Sequence, residues 1–184
     1  MSDKNLFKRC INAESRAFEQ DGKRFIEGWA LLYNQKSKLI YEFGQTFFEV
    51  NSPTALYQWL QNGPHDVIFT ANHDYSKVIA RTTSGTLQLI NSEKGLKYIA
   101  EIPNGISYAN DLYLSIKRRD IYESSFTFFV NGSGEHWGKD PDTGHDLRTI
   151  NKIEVLKEVS AVTWGAYPNT DVEARNKAAQ AGKP

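Results

Sequence analysis

The chain of 184 residues has one cysteine, Cys10, and no excess of charge of either sign. A single thiol excludes an intramolecular disulfide framework and a cysteine-rich zinc site. Lys plus Arg is 22 and Asp plus Glu is 22, so the formal net charge is zero. Proteins that hold a phosphate backbone usually carry a basic excess, so nucleic acid is not an expected partner. No apolar run approaches the roughly 18 residues of a membrane span, so no membrane partner is expected. Met1-Ser2-Asp3-Lys4-Asn5 has no apolar core behind it, unlike a secretory signal. Phosphate loops of the G-x-x-x-x-G-K-S/T and G-x-G-x-x-G kinds are missing, and no cofactor is expected. The G-x-S-x-G elbow is also absent, which argues against an α/β-hydrolase. These absences leave a soluble, intracellular, single-domain protein as the expectation.

What is present is bulky. The apolar fraction is 40% and the aromatic fraction 12%, enough for a core and too much for wholesale disorder. Three stretches differ in texture. Residues 1–21 read as one N-terminal strand with flexible flanks. Residues 22–170 are rich in aromatic and β-branched residues with frequent turn signals, and form the folded domain. Residues 171–184 read as a short helix fraying into a disordered tail.

The middle is mainly β by pattern. Strands are expected at Phe25–Tyr33, Val67–Ala71, Ser124–Val130 and Val159–Trp164. Thr86–Ile90 and Leu96–Ile102 alternate and read as a hairpin with a five-residue loop, Asn91–Gly95. Pro53–Leu60 reads as a helix with Ser52 as its N-cap and Pro53 at its first position. Ser107–Arg118 carries Ala109, Leu112, Tyr113 and Ile116 at helical spacing. The fold class is therefore mainly β with a few helices (α+β), a barrel or sandwich.

Two segments have the residue types of nucleophilic catalysis. Asn72-His73-Asp74 places a histidine directly after an apolar strand, and an imidazole side chain suits a general base near neutral pH. An ordinary turn histidine is the alternative. In Ser124-Ser125-Phe126-Thr127-Phe128-Phe129, alternation puts Ser125, Thr127 and Phe129 on one face. If Ser124, Phe126 and Phe128 face the core, Ser125 faces out. A third segment, Glu154 to Thr163, offers Glu158 or Glu154 as a carboxylate to orient an imidazole. His136 and His145, near Asp140 and Asp142, match no metal-loop spacing. A metal-dependent hydrolase using His73, Asp74 and His136 lacks ligand spacing too.

Taken in order, these segments resemble the tailed-phage prohead proteases, capsid-maturation serine proteases related to the herpesvirus assemblins. Phe25-Ile26-Glu27-Gly28-Trp29-Ala30 is similar to the family's opening strand, and Tyr33-Asn34 and Ser37 follow. Asn72-His73-Asp74, Ile79-Ala80-Arg81-Thr82 and Gly85-Thr86-Leu87 resemble its histidine segment. Gly95-Leu96 looks like the hairpin exit. Ser125-Phe126-Thr127-Phe128 resembles its nucleophile segment, with Thr127 where the family usually has Gly. Trp137 and Arg148-Thr149-Ile150 come next. Leu156-x-Glu158-Val159-Ser160-x-Val162-Thr163 and Ala166-Tyr167-Pro168-x-Thr170 resemble its closing signature, with Gly165 where Pro is usual.

The resemblance implies a closed or partly open β-barrel surrounded by helices, as in the assemblins. It makes Ser125 the nucleophile and His73 the general base of a serine endopeptidase. Glu158 is the third member by choice, with Glu154 and His145 as alternatives. Arg148 is a candidate to support the oxyanion. The implied substrate is the scaffold, or the scaffolding segment of the capsid protein, together with the protease itself. The implied location is the host cytoplasm, inside an assembling procapsid. A homodimer through helices is implied by the assemblins, with Ala109–Ile116 as the candidate stripe. The alternative reading is a non-catalytic β-barrel binding module of the procapsid, in which Ser125 and His73 lie apart or Ser125 faces the core.

Overall fold

The computed structural model describes residues 6–42 and 44–164. The expected helix and tail at 171–184, and the end of the closing signature at 165–170, lie outside the described residues. Along the chain run β1 (Leu6–Glu14), β2 (Arg16–Gln20), β3 (Lys23–Leu32), β4 (Ile40–Glu42) and β5 (Gln45–Asn51). Then come α1 (Tyr57–Gln61), β6 (Ile68–Ala71), β7 (Ala80–Arg81), β8 (Leu87–Ser92) and β9 (Gly95–Ile102). They are followed by α2 (Ser107–Lys117), β10 (Glu123–Phe129), β11 (Glu135–Lys139), β12 (Asp146–Ile150) and β13 (Val155–Val162).

The strands make three sheets, ordered β1-β10-β13-β6-β7, β11-β12-β5-β4 and β2-β3-β9-β8. The expectation of a mainly β chain with few helices holds. Of the expected closed or partly open barrel surrounded by helices, no closed barrel is found: among the described residues each sheet has two open edges. Residues 6–20 form two strands rather than one, because the chain crosses between sheets at Ser15. There the Ser15 N–H donates to the Tyr122 carbonyl at 2.7 Å. Its hydroxyl closes a buried triangle with Tyr98 and Ser124, at 2.8, 2.8 and 3.0 Å. β1 thus stays in the first sheet and β2 enters another.

The core fills the space between the first sheet and the sheet containing β3 and β9. Ile26, Leu31, Phe69, Tyr98, Phe126 and Phe128 are fully buried there. Gly28 is required by this packing: a Cβ would stand 2.5 Å from the Tyr98 hydroxyl and 2.8 Å from that of Ser124. The α2 stripe, Ala109, Leu112, Tyr113 and Ile116, is buried as its spacing predicts. Its helix packs on β2 and β9.

Two local expectations change. The β8–β9 hairpin pairs Ser92 with Gly95, so its loop is Glu93-Lys94, two residues instead of five. Gly95 has φ of 152°, and a Cβ there would overlap the Leu31 carbonyl oxygen. The first helix starts at Tyr57 rather than Pro53, with Leu56 at its N-cap. The Ser52 hydroxyl instead accepts from the Thr54 N–H at 3.3 Å, a turn contact that competes with the helix.

Candidate active site

The site is written across three neighbouring strands. β10 and β13 are antiparallel, with Ser125 opposite Ser160 and Thr127 opposite Glu158. β13 and β6 are parallel, with Ser160 beside Thr70 and Glu158 beside Ile68. Side chains paired across a sheet share a face, so Ser125, Thr127, Glu158, Ser160 and Thr70 form one polar cluster. Ser124, Phe126 and Phe128 occupy the opposite face, toward the core. The alternation along β10 is as the sequence predicts. The outward face is not: Ser125 and Thr127 are both 0% exposed. The His73–Tyr75 segment lies against them, with the Tyr75 hydroxyl 3.5 Å from Thr127 Oγ1.

β6 ends at Ala71, and the next two residues turn the chain over the sheet. Asn72 and His73 both have positive φ, 50° and 59°. Left-handed backbone is costly for residues with a Cβ, so the surroundings must hold it. They do so with hydrogen bonds. The Asn72 N–H donates to the Ala161 carbonyl at 3.0 Å. Asn72 Oδ1 accepts from the Thr163 N–H at 2.9 Å. The His73 N–H donates to Ser160 Oγ at 3.1 Å.

This turn lays the imidazole between Ser125 and Glu158. Nε2 is 2.8 Å from Ser125 Oγ, and Nδ1 is 2.7 Å from Glu158 Oε2. Thr70 Oγ1 donates to Glu158 Oε1 at 2.6 Å, and Thr127 Oγ1 donates to Oε2 at 2.7 Å. Burial opposes the charge on Glu158. The hydrogen bond and charge of His73, then the hydroxyls of Thr127 and Thr70, outweigh it and hold the carboxyl below the ordinary glutamate value. An ionised carboxylate only accepts, so Nδ1 carries the proton and Nε2 is free to accept from Ser125. The Ser125 hydroxyl has a second acceptor, the Arg9 carbonyl on β1, at 3.0 Å.

The remaining candidates lie elsewhere. Glu154 accepts from Asn131 at 2.8 Å and pairs with Lys152 at 2.9 Å. His145 sits edge-on to Phe48, with ring centroids 5.8 Å apart. Asp74 accepts from Ser76 and pairs with Lys77. Among the described residues, no three His, Cys, Asp or Glu side chains are grouped to hold a metal ion. Arg148 is buried on β12, in another sheet, with NH1 3.0 Å from Glu49 and Nε 2.7 Å from Glu135. Glu49 also accepts from Arg9 at 2.9 Å. The Arg148 guanidinium lies 4.0 Å from the Phe7 ring centroid. Phe7 is paired with Phe128 on the core side of the first sheet.

Three participants escape the sequence reading: Thr70, Ser160 and the hydroxyl of Thr127. A signal for Ser160 exists, since Glu158-x-Ser160 in a strand must share a face. Thr70 has no such signal, because the parallel pairing of β6 with β13 leaves no local pattern.

A serine hydroxyl, an imidazole and a carboxylate in hydrogen-bonded series are the parts of a serine hydrolase. The chain belongs to the caudovirus prohead serine protease family, whose profile matches residues 11–184. Among solved structures it is similar to the bacteriophage T4 capsid assembly protease, at 14% identity and a TM-score of 0.49. That match covers 88% of this chain and 98% of the other. Among curated proteins no match is found. No helix among the described residues is long and apolar enough to cross a membrane.

Proposed function

We propose that this chain is a serine endopeptidase of phage procapsid maturation with Ser125 as nucleophile, His73 as general base and Glu158 as the third member. The observation that carries the reading is the 2.8 Å separation of Ser125 Oγ and His73 Nε2, with Glu158 behind Nδ1. Ser125 attacks a peptide carbonyl while Nε2 takes its proton. The imidazolium is stabilised by Glu158 and returns the proton to the leaving amine. Water then attacks the acyl-serine by the same relay in reverse. In this reading Arg148 does not reach the oxyanion, because Glu49 and Glu135 engage it. A backbone N–H takes that role.

The substrate is the scaffold or the scaffolding segment of the capsid protein, and the chain itself. The family supports this choice, and the place of action is the interior of the assembling procapsid. Removing scaffold by proteolysis makes maturation irreversible. The binding-module alternative requires Ser125 and His73 to lie apart or Ser125 to face the core. The 2.8 Å contact, and the place of Ser125 on the face opposite Phe126 and Phe128, tell against it.

A fluorophosphonate probe tests the nucleophile without knowledge of the cleavage site. The wild type should be labelled on Ser125, located by peptide mass spectrometry. Ser125→Ala and His73→Ala should be silent. Labelling at another serine in all three chains would remove the assignment.

A further inference from the structure

We propose that Thr127 is a positioning residue of the reaction, its hydroxyl fixing the Glu158 carboxylate so that His73 is aimed at Ser125. The inference rests on the Ser125–His73–Glu158 reading and extends it to a residue outside that series.

Thr127 stands directly opposite Glu158 and two residues beyond Ser125 on the same face of β10. It is fully buried, so its hydroxyl needs a partner within the protein. The near acceptor is Glu158 Oε2 at 2.7 Å, the same oxygen that receives the His73 Nδ1 proton. Thr127 Oγ1 also lies 3.4 Å from Nδ1 itself. It therefore touches both the acid and the base, and it is built into the strand that carries the nucleophile.

A carboxylate with one partner can rotate about its own axis and carry the imidazole with it. Glu158 has three donors from three separate segments: Thr70 on β6, Thr127 on β10 and His73 in the turn. Thr70 holds Oε1 and Thr127 holds Oε2, which leaves one orientation of the group. The other groups near this face are Tyr75, whose hydroxyl is 3.5 Å from Thr127 Oγ1, and Lys8, paired with Thr127 on β1. The Lys8 ammonium stands 5.7 Å from the Tyr75 ring centroid. Neither hydrogen-bonds to Glu158, so the two threonines are its hydroxyl donors among the described residues.

The test is the rate of Ser125 phosphonylation by a fluorophosphonate, measured on the full chain from mildly acidic to alkaline pH. Thr127→Val keeps the shape and removes the hydroxyl. Thr127→Cys keeps the volume with a much weaker donor. Thr127→Ser keeps the hydroxyl. Thermal unfolding shows which variants are folded, and either of the first two decides the matter. Both should lose about tenfold in maximal labelling rate, the scale of a misplaced catalytic group, with the half-saturating probe concentration unchanged. Thr127→Ser should label as the wild type does.

Wild-type rates in a folded Thr127→Val or Thr127→Cys chain would overturn the proposal. So would a Thr127→Ser chain that falls as far as Thr127→Val. Ser125→Ala separates the two levels. If it is still labelled, the Ser125 reading fails; if it is silent while Thr127→Val is normal, only the Thr127 proposal fails.

Discussion

His73 reaches Ser125 across a strand that separates them. The two lie 2.8 Å apart, yet β13 stands between β10 and the end of β6. Two successive left-handed residues, Asn72 and His73, bend the chain over β13 and bring the ring down on its far side. The site therefore depends on what holds that turn as much as on the reacting groups.

Ser160→Ala tests the turn. It removes the acceptor of the His73 N–H and leaves that partly buried donor unpaired. The expected stability loss is about 1–3 kcal/mol, and fluorophosphonate labelling should slow by more than the folded fraction explains. Thermal unfolding and labelling on the same sample check both. Unchanged labelling would show that the turn holds itself.

Gly28→Ala tests the packing beneath the nucleophile strand. The new methyl would meet the Tyr98 and Ser124 hydroxyls, whose triangle with Ser15 is fixed by three hydrogen bonds. Overpacking of a tight site costs about 1–3 kcal/mol, read as a lower midpoint in urea. The polar triangle itself explains why Gly28 is needed where the neighbouring positions are bulky.

Much of this was legible beforehand, and the rest was not, for physical reasons. Strands Phe25–Tyr33 and Ser124–Val130 and the helix Ser107–Arg118 declare themselves by periodicity, because one face of each meets the core. The period-two pattern also separates Ser125 from Ser124, and so the proposed nucleophile from the hydroxyl of the buried triangle. The parallel pairs β6 with β13 and β5 with β12 have no local signal, and the first of them brings Thr70 to Glu158. Barrel closure was not legible either, because the break at Ser15 depends on partners 83 and 109 residues away. The choice of Glu158 over Glu154 and His145 followed from the closing signature, and the geometry places Glu158 alone against His73.

Arg148→Met separates a structural role from a catalytic one. Arg148 is 2% exposed, and its loss leaves Glu49 and Glu135 short of a cation. Breaking one side of a buried ion network costs about 3–5 kcal/mol. The expected result is a large drop in thermal stability, with the labelling rate per folded molecule retained. A stable chain with a strongly reduced rate would instead place Arg148 in the reaction.

Acid should weaken the fold through Glu158. Its carboxyl is held below the ordinary value in the folded chain, so the unfolded state binds the proton more readily. The stabilisation is complete above the unfolded value, about 4.3, and is lost as pH falls through the folded value. Glu158→Gln carries no such term. The stability gap between wild type and Glu158→Gln should narrow below about pH 4, measured by urea unfolding at stepped pH. A gap that widens in acid would contradict the ionised state assigned to Glu158.

If Ser125 and His73 act together to cut capsid-assembly proteins, cleavage must be lost with either side chain. The most direct test is co-expression of this chain with its capsid and scaffold proteins, wild type beside Ser125→Ala and His73→Ala, with fragments identified by mass spectrometry. Specific fragments are expected with the wild type and none with either variant. The same fragments in the Ser125→Ala sample, or no cleavage by the wild type in assembled procapsids, would contradict that expectation.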